Sequence, residues 1–175
     1  MYPLGYLPGF RMTYFEDLSA YAYSGFGPSS ATNVGWLDSG HHFRAAPSDP
    51  KVLTALWEFC RISVAQSRGF HLCPFCLSEE PIWAERNGEC LLLGSSEIRV
   101  FSAETDAIYA APNLVYHYVE VHHYEPPVEF RHAVLQGYPP SDERYFAALA
   151  RYGLQWSWTS KSRPKRFRFS PRGSK

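Results

Sequence analysis

The amino-acid sequence predicts an α+β domain, in which a small antiparallel sheet and about four helices are held together by one structural zinc ion. Strand-like and helix-like segments follow one another in the order β, α, β-hairpin, α, α, α. A C-x-x-C pair lies upstream of a pair of histidines on a predicted helix. The 175 residues, of which 45% are hydrophobic, are enough for one folded domain and too few for two ordinary ones.

The first predicted elements are a strand and a helix. Residues 33–38 have the composition of a short buried strand that leads into a loop. A helix is expected over residues 50–60, because Ser48 or Asp49 can cap it and Pro50 suits its first turn. Its apolar residues fall on one face, at Val52, Leu53, Leu56, Phe59 and Cys60.

Three strand-like segments and three more helices are predicted after the cysteine pair. The strand-like segments cover residues 89–93, 97–101 and 107–110. The helices are expected from Pro112 to about His123, from Val128 to Gln136, and from Ser141 to about Gly153.

The chain is predicted to contain one domain with a segment on either side. Residues 1–11 are interpreted as an N-terminal extension, with Met12 as a candidate natural start, residues 12–153 as the zinc-containing domain, and residues 154–175 as an aromatic and basic tail. The last fifteen residues carry 7 of the 17 cations and no acid, so the first 160 residues carry 10 cations against 17 acids, a balance of −7.

The composition also limits the location of the protein. No run of 18 or more apolar residues is present, so no membrane-spanning segment is predicted. Four cysteines are too few for a disulfide scaffold in a chain of this length. We therefore expect a cytoplasmic protein with reduced thiols and no membrane partner.

The strongest chemical signal is Cys73-Pro-Phe-Cys76, a spacing that lets two thiolates bind one Zn²⁺ ion. His117 and His122, on one predicted helix, are the candidate second pair. Residues five apart on an ideal helix lie about 140° from each other, so the helix end must loosen for both imidazoles to reach one ion. Four protein ligands would leave no position for water, which predicts a structural zinc.

Alternatives to this ligand set stay open. Forty residues separate Cys76 from His117, against roughly 12–15 in a compact finger. Cys90 or His71 can replace one ligand, and the cysteines can also be an empty core pair. A redox role is disfavoured because the pair leads into a loop rather than a helix. A zinc deaminase is excluded because the glutamate of its H-x-E motif is missing.

A second candidate site lies in the loop after the first strand. Trp36, Asp38 and His41 can line a binding cleft, and Asp38 with His41 can form an acid–base pair. The simpler interpretation is turn chemistry, in which the Asp38 carboxylate accepts hydrogen bonds from nearby backbone amides.

The C-terminal tail is a candidate nucleic-acid contact. Phe167 and Phe169 can stack on bases while the neighbouring cations neutralise phosphates. The same segment can instead dock on the acidic body or add a strand to a sheet edge. The candidate cations are Lys161, Arg163, Lys165, Arg166 and Arg168.

Several motifs together resemble a family of small bacterial proteins known as a domain of unknown function. The resemblance covers roughly residues 12–135 and implies a Cys/His metal site, without implying an activity. The motifs are Tyr14-Phe15-x-Asp17-Leu18, Gly35-Trp36-Leu37-Asp38, Gly69-Phe70-His71-x-Cys73-x-x-Cys76, and His117-Tyr118-Val119-x-x-His122-x-Tyr124-x-Pro126-Pro127-x-Glu129-Phe130.

The function expected from these patterns is that of a zinc-stabilised, non-catalytic binding protein. A protein partner is the first expectation, in an accessory or immunity-type role. The alternatives are an enzyme that uses Asp38 and His41, and a nucleic-acid-binding protein that uses the basic tail.

Overall fold

The computed structural model describes residues 13–22, 31–66, 69–76, 78 and 80–159. The strands in these ranges are β1 (Ala31–Asn33), β2 (Ile62–Val64), β3 (Trp83–Arg86), β4 (Glu89–Leu92), β5 (Glu97–Phe101), β6 (Ile108–Pro112) and β7 (Trp156–Trp158). The helices are α1 (Pro50–Cys60), α2 (Val115–His122), α3 (Val128–Gln136) and α4 (Glu143–Arg151). The predicted α+β class with four helices is confirmed over the part of the chain that is described.

The main sheet has five strands in the order β1-β6-β5-β2-β7. Strand β1 runs parallel to β6, and the other neighbouring pairs are antiparallel. The sheet is therefore mixed rather than wholly antiparallel as predicted. The parallel pair is possible because a long connection, which includes α1, separates β1 from β6 and lets the chain return in the same direction.

A separate two-stranded hairpin consists of β3 and β4. Its turn is Asn87-Gly88, with φ angles of 49° and 78°, the sequence and backbone typical of a tight two-residue hairpin turn. Of the three strand segments predicted after the cysteine pair, the second and third pair antiparallel as β5 and β6, whereas the first pairs with β3. Strand β5 is buried at every position and pairs with β2 and β6 inside the main sheet, so β4 pairs with β3 instead.

The first strand ends earlier than predicted. It covers Ala31–Asn33, whereas the sequence pattern placed a strand at residues 33–38. Gly35 has a φ of 71°, which is incompatible with an extended strand and turns the chain out of the sheet. Val34 and Trp36 remain buried, which is why the segment has the composition of a strand.

Helices cover the sheet and form the core with it. Helices α1 and α3 pack against β5, and α4 reaches the end of that strand through Phe101 and Tyr145, whose ring centroids lie 5.7 Å apart. Helix α2 is buried over its first five residues. Within the ranges described, no helix is long and apolar enough to cross a bilayer.

The sheet extends into the segment that the sequence analysis assigned to the tail. Strand β7 pairs with β2, with Ile62 opposite Trp158, and the Thr159 N–H donates to the Arg61 carbonyl at 2.9 Å. The boundary drawn after residue 153 thus omits a strand of the main sheet. The predicted N-terminal extension and the tail cations lie outside the described residues.

A buried ion pair lies on β5. An Arg99 guanidinium nitrogen contacts Glu97 Oε2 at 2.6 Å, and the side chain of Arg99 is 0% exposed. The Tyr21 hydroxyl donates to the same carboxylate at 2.8 Å. Burial raises the pKa of Glu97 while Arg99 and Tyr21 oppose that shift. Removal of either charge would leave the other uncompensated in the core.

Gly94 connects the main sheet to the loop that carries the cysteines, and this contact gives a first prediction. Its φ is 91°, and a Cβ atom there would collide with the His71 carbonyl oxygen. We expect Gly94→Ala to lower the free energy of unfolding by about 3 kcal/mol or more, because backbone strain and overpacking add.

Gly88→Ala is the matched control for this substitution. Gly88 also has a positive φ, of 78°, but a Cβ atom there would meet nothing within 4 Å. Gly88→Ala should therefore lower the free energy of unfolding only by the cost of placing alanine in a left-handed conformation, about 1 kcal/mol. Urea denaturation measures both variants, and equal losses would contradict the steric argument at Gly94.

Candidate metal centre

The loop of residues 69–76 presents the two cysteines. It is fixed to the strand region by the His71 N–H, which donates to the Gly94 carbonyl at 2.7 Å. Gly94 is fixed in turn by its own N–H, which donates to Asn113 Oδ1 at 2.6 Å. In the turn itself, backbone N–H groups of Phe75 and Cys76 hydrogen-bond to the Cys73 sulfur. Burial raises the pKa of that thiol, and these two hydrogen bonds oppose the shift.

Helix α2 presents the two histidines. His117 lies inside the helix, and His122 is its last residue. The helix ends there because His123 adopts a left-handed conformation, with φ 55° and ψ 26°. A ligand at the end of a helix is less constrained than one in its interior. The helix terminus therefore lets His122 turn towards the same ion as His117, as their five-residue spacing requires.

Four donor atoms converge between the loop and α2. The atoms are the sulfurs of Cys73 and Cys76 and the Nε2 atoms of His117 and His122, and all lie within 4.8 Å of one another. Cys73 Sγ lies 3.2 Å from His122 Nε2, and Cys76 Sγ lies 3.3 Å from His117 Nε2. The two imidazole nitrogens are 3.2 Å apart.

These distances fit one tetrahedral ion. Typical zinc–sulfur and zinc–nitrogen bonds of about 2.3 and 2.0–2.1 Å place tetrahedral ligand atoms roughly 3.3–3.8 Å from one another. The donors are also of the types that zinc prefers. The cluster can therefore hold a metal ion.

Burial disfavours the charged forms of three of the donors, Cys73, His117 and His122. It raises the pKa of the Cys73 thiol to about 11, and it lowers the pKa of His117 to about 4, helped by His122. Burial also lowers the pKa of His122, helped by His123. At neutral pH Cys73 would hold its proton and both imidazoles would be uncharged, so a bound cation would have to displace the thiol proton.

Aromatic rings pack against one side of the cluster. Phe75, inside the C-x-x-C turn, lies 5.2 Å from the His122 ring and 5.8 Å from Tyr118, measured between centroids. Phe43 packs against Phe75 at 5.2 Å. Such rings restrict water and limit the rotamers of the ligands, so the donor atoms are held in place before any ion binds.

The predicted ligand set is the set that the structure brings together. Cys73, Cys76, His117 and His122 form the cluster, while the alternative ligands Cys90 and His71 are not part of it. Two antiparallel pairs, β3–β4 and β5–β6, lie between the cysteine loop and α2 in the sequence.

Asp38 and His41 are in contact, and the contacts of Asp38 fit both interpretations given to this loop. Asp38 Oδ1 lies 2.7 Å from His41 Nδ1, and it also accepts from the Gly40 N–H at 3.0 Å, as in the simpler turn interpretation. Tyr14 stacks on His41, with centroids 3.6 Å apart. Trp36 is separate from this pair, because it is 2% exposed and its indole N–H donates to the Ala110 carbonyl at 3.1 Å.

A cleft that sequence reasoning missed lies between the β5–β6 turn and α4. Its volume is about 510 Å³. Glu104 and Asp106 line the turn side, and Arg144 and Arg151 line the helix side. The two arginines are seven residues apart on a helix, which places them on one face, and this spacing was the available signal. Neither this cleft nor a second cavity of about 20 Å³ beside Trp36 is lined by Asp38 or His41.

The fold and the site define a class: an α+β domain in which a two-cysteine loop and a two-histidine helix form a candidate metal centre. The chain belongs to the family described as Domain of unknown function (DUF7919), whose model matches residues 13–135. The resemblance inferred from the motifs is thereby confirmed. No curated protein and no solved structure matches this chain. The matched region contains all four candidate ligands and excludes α4 and β7.

The pKa of His117 predicts how stability depends on pH. Its pKa in the folded protein, about 4, lies below its ordinary value of 6.5, so the unfolded chain binds the proton more readily. The free energy of unfolding should therefore fall as the pH is lowered from about 6.5 towards 4. Competition of protons with a bound metal acts in the same direction.

Two substitutions test this assignment. His132→Gln changes a histidine whose side chain is 53% exposed, and it should keep the full pH dependence. His117→Gln should be less stable at pH 7 and lose less on acidification, as followed by thermal melting. Equal pH dependence in all three proteins would contradict the role given to His117.

Proposed function

We propose that Cys73, Cys76, His117 and His122 hold one structural Zn²⁺ ion, and that the domain is a non-catalytic binding protein with a protein partner. One observation carries the first half of this proposal: donors from two segments separated by forty residues lie within 4.8 Å of one another. Thiolate ligands need reduced cysteines, so the proposal includes a cytoplasmic location.

The choice of zinc rests on the donor set. Two sulfurs and two imidazole nitrogens in a compact cluster suit a tetrahedral, borderline-soft ion. Oxygen-seeking ions such as Mg²⁺ and Ca²⁺ prefer carboxylate and carbonyl oxygens, and the cluster contains neither. Four protein ligands fill a tetrahedral shell, which supports a structural role rather than hydrolysis at the ion.

The ion would join two parts of the domain that lie far apart in the sequence. The cysteine loop contains no helix or strand, and its described link to the strand region is the hydrogen bond between His71 and Gly94. Helix α2 is packed in the core. Coordination would attach the loop to that core, so metal binding would contribute to the free energy of folding.

The zinc proposal predicts a stoichiometry and a stability effect. Protein purified without added metal should contain about one zinc ion per chain, measured by elemental analysis. Cys73→Ser should lose the zinc and either fail to fold or melt far below the wild type, because metal binding and folding are coupled. A chelator should lower the melting temperature of the wild type strongly.

Cys90→Ser is the matched control, because Cys90 is half-buried and lies outside the cluster. It should keep both the zinc content and the melting temperature. A folded Cys73→Ser protein with an unchanged melting temperature would overturn the structural role, whatever its zinc content.

The cleft beside α4 supports the second half of the proposal. Its lining carries charges of both signs, with Glu104 and Asp106 from the turn and Arg144 and Arg151 from α4. A protein segment with side chains of both signs can satisfy both walls, whereas a small apolar ligand can satisfy neither. We therefore assign the partner to this cleft.

Reversing the charge of one wall tests the partner assignment. Tagged wild-type protein and the double variant Arg144→Glu, Arg151→Glu would be compared for capture from a lysate of the native host. A protein retained by the wild type should be lost by the double variant, because like charges would then face it. Lys51→Glu, an exposed change on α1, should retain it. Identical captured proteins in all three samples would contradict the assignment.

A catalytic role is the second candidate, and the contact between Asp38 and His41 favours it. The carboxylate holds one ring nitrogen and leaves His41 Nε2 available as a base, as in acid–base dyads. The described contacts of His41 are with Asp38 and Tyr14, and they supply no nucleophile. If the wild type hydrolyses simple esters and His41→Ala does not, a catalytic role replaces the non-catalytic proposal.

A further inference from the structure

A buried hydroxyl beside the metal centre has no hydrogen-bond partner among the described residues. Tyr118 is 0% exposed, and its hydroxyl oxygen makes no hydrogen bond to any residue that the structure describes. Nearly all buried polar groups in folded proteins are paired, because an unpaired one has lost its hydration without compensation. The Tyr118 hydroxyl therefore indicates a partner that becomes available in another state of the protein.

The ring of Tyr118 lies beside both halves of the metal centre. Its centroid is 5.8 Å from that of Phe75, inside the C-x-x-C turn, and 6.4 Å from that of His122, at the end of α2. Burial raises the pKa of Tyr118, and the charges of Cys73 and then Cys76 add to this shift. The ionisable groups that act on the Tyr118 hydroxyl are thus the two candidate ligand thiols.

Binding of a metal ion would turn these sulfurs into good partners for a hydroxyl. The sulfur of a neutral thiol is a weak hydrogen-bond acceptor. A metal ion binds the deprotonated sulfur, and hydrogen bonds to an ionised acceptor are roughly twice as strong as those between neutral groups. A partner for the Tyr118 hydroxyl would therefore appear when the ion binds.

We propose that Tyr118 is a positioning residue of the metal centre, whose hydroxyl donates a hydrogen bond to the Cys73 sulfur in the metal-bound protein. This inference rests on the zinc proposal made above. The backbone N–H groups that reach this sulfur, from Phe75 and Cys76, belong to the cysteine loop itself. The hydroxyl of Tyr118 would instead connect the sulfur to α2, and would hold the thiolate in its orientation towards the ion.

The zinc affinity of the full chain tests this role. Tyr118→Phe removes the hydroxyl and keeps the buried ring, and its zinc affinity in competition with a chromophoric chelator should be about 10–100-fold lower. Tyr145→Phe is the matched control, since Tyr145 is also 0% exposed and its ring packs against Phe59 and Phe101. The control should keep the affinity of the wild type.

Cobalt substitution gives a readout that a purely structural role of the ring would not change. Co²⁺ occupies tetrahedral sites with sulfur and nitrogen ligands, and its sulfur-to-metal charge-transfer band reports the electron density on the thiolate. Loss of a hydrogen bond to the sulfur raises that density, so the band of Tyr118→Phe should move to longer wavelength. Tyr145→Phe should show the wild-type band, and a tetrahedral d–d spectrum in each sample verifies that the protein is folded around the ion.

A crystal structure of the zinc-loaded wild type tests the same contact without any substitution. It should show the Tyr118 hydroxyl oxygen within hydrogen-bonding distance of the Cys73 sulfur. A hydroxyl that contacts a buried water instead of the sulfur would overturn the inference.

The remaining outcomes separate this inference from the zinc proposal. If the wild type binds zinc and Tyr118→Phe has the same affinity and the same cobalt spectrum, the inference is wrong and the zinc proposal stands. Equal losses of affinity in Tyr118→Phe and Tyr145→Phe would also overturn it, because the effect would then be one of packing. A wild type that binds neither zinc nor cobalt would overturn both.

Discussion

Four donor atoms that face one another impose the constraint on which the rest of this domain depends. The sulfurs and imidazole nitrogens of Cys73, Cys76, His117 and His122 lie within 4.8 Å of one another. Burial disfavours the charged forms of Cys73 and His117, as the pKa values of these two groups show. Such a cluster is stable as a coordination shell and costly as an empty one. The contacts that fix the cysteine loop and bury α2 hold that shell in shape.

The motifs of the family form the scaffold around this centre. Asp17 accepts hydrogen bonds from the Gly35 N–H and from the Tyr124 hydroxyl, both at 2.8 Å. Trp36 is tied to β6 through the Ala110 carbonyl. These bonds connect the N-terminal segment, the sheet and the residues that follow α2. Polar residues that look functional in the sequence are therefore used to position the chain beside the metal centre.

The cleft that we assign to a partner lies only partly inside the region matched by the family. Helix α4 contributes Arg144 and Arg151 to its lining. The residues of α4 and β7 follow the last residue of the family match. Helix α4 thus adds its arginines to the cleft from outside the matched region, while Glu104 and Asp106, on the turn side, lie within it.

The sequence by itself determined the features that depend on local chemistry. The residue types and their spacing identified the four residues that converge in the candidate metal centre. Asp49 caps α1 as predicted, and its side chain accepts a hydrogen bond from the Lys51 N–H at 2.8 Å. Asn87-Gly88 was a local turn signal that was overlooked. The tertiary structure decided what depends on distant partners. Ile62 pairs with Trp158, and such a pairing has no local signature, because a strand is stabilised by hydrogen bonds to residues far away in the chain.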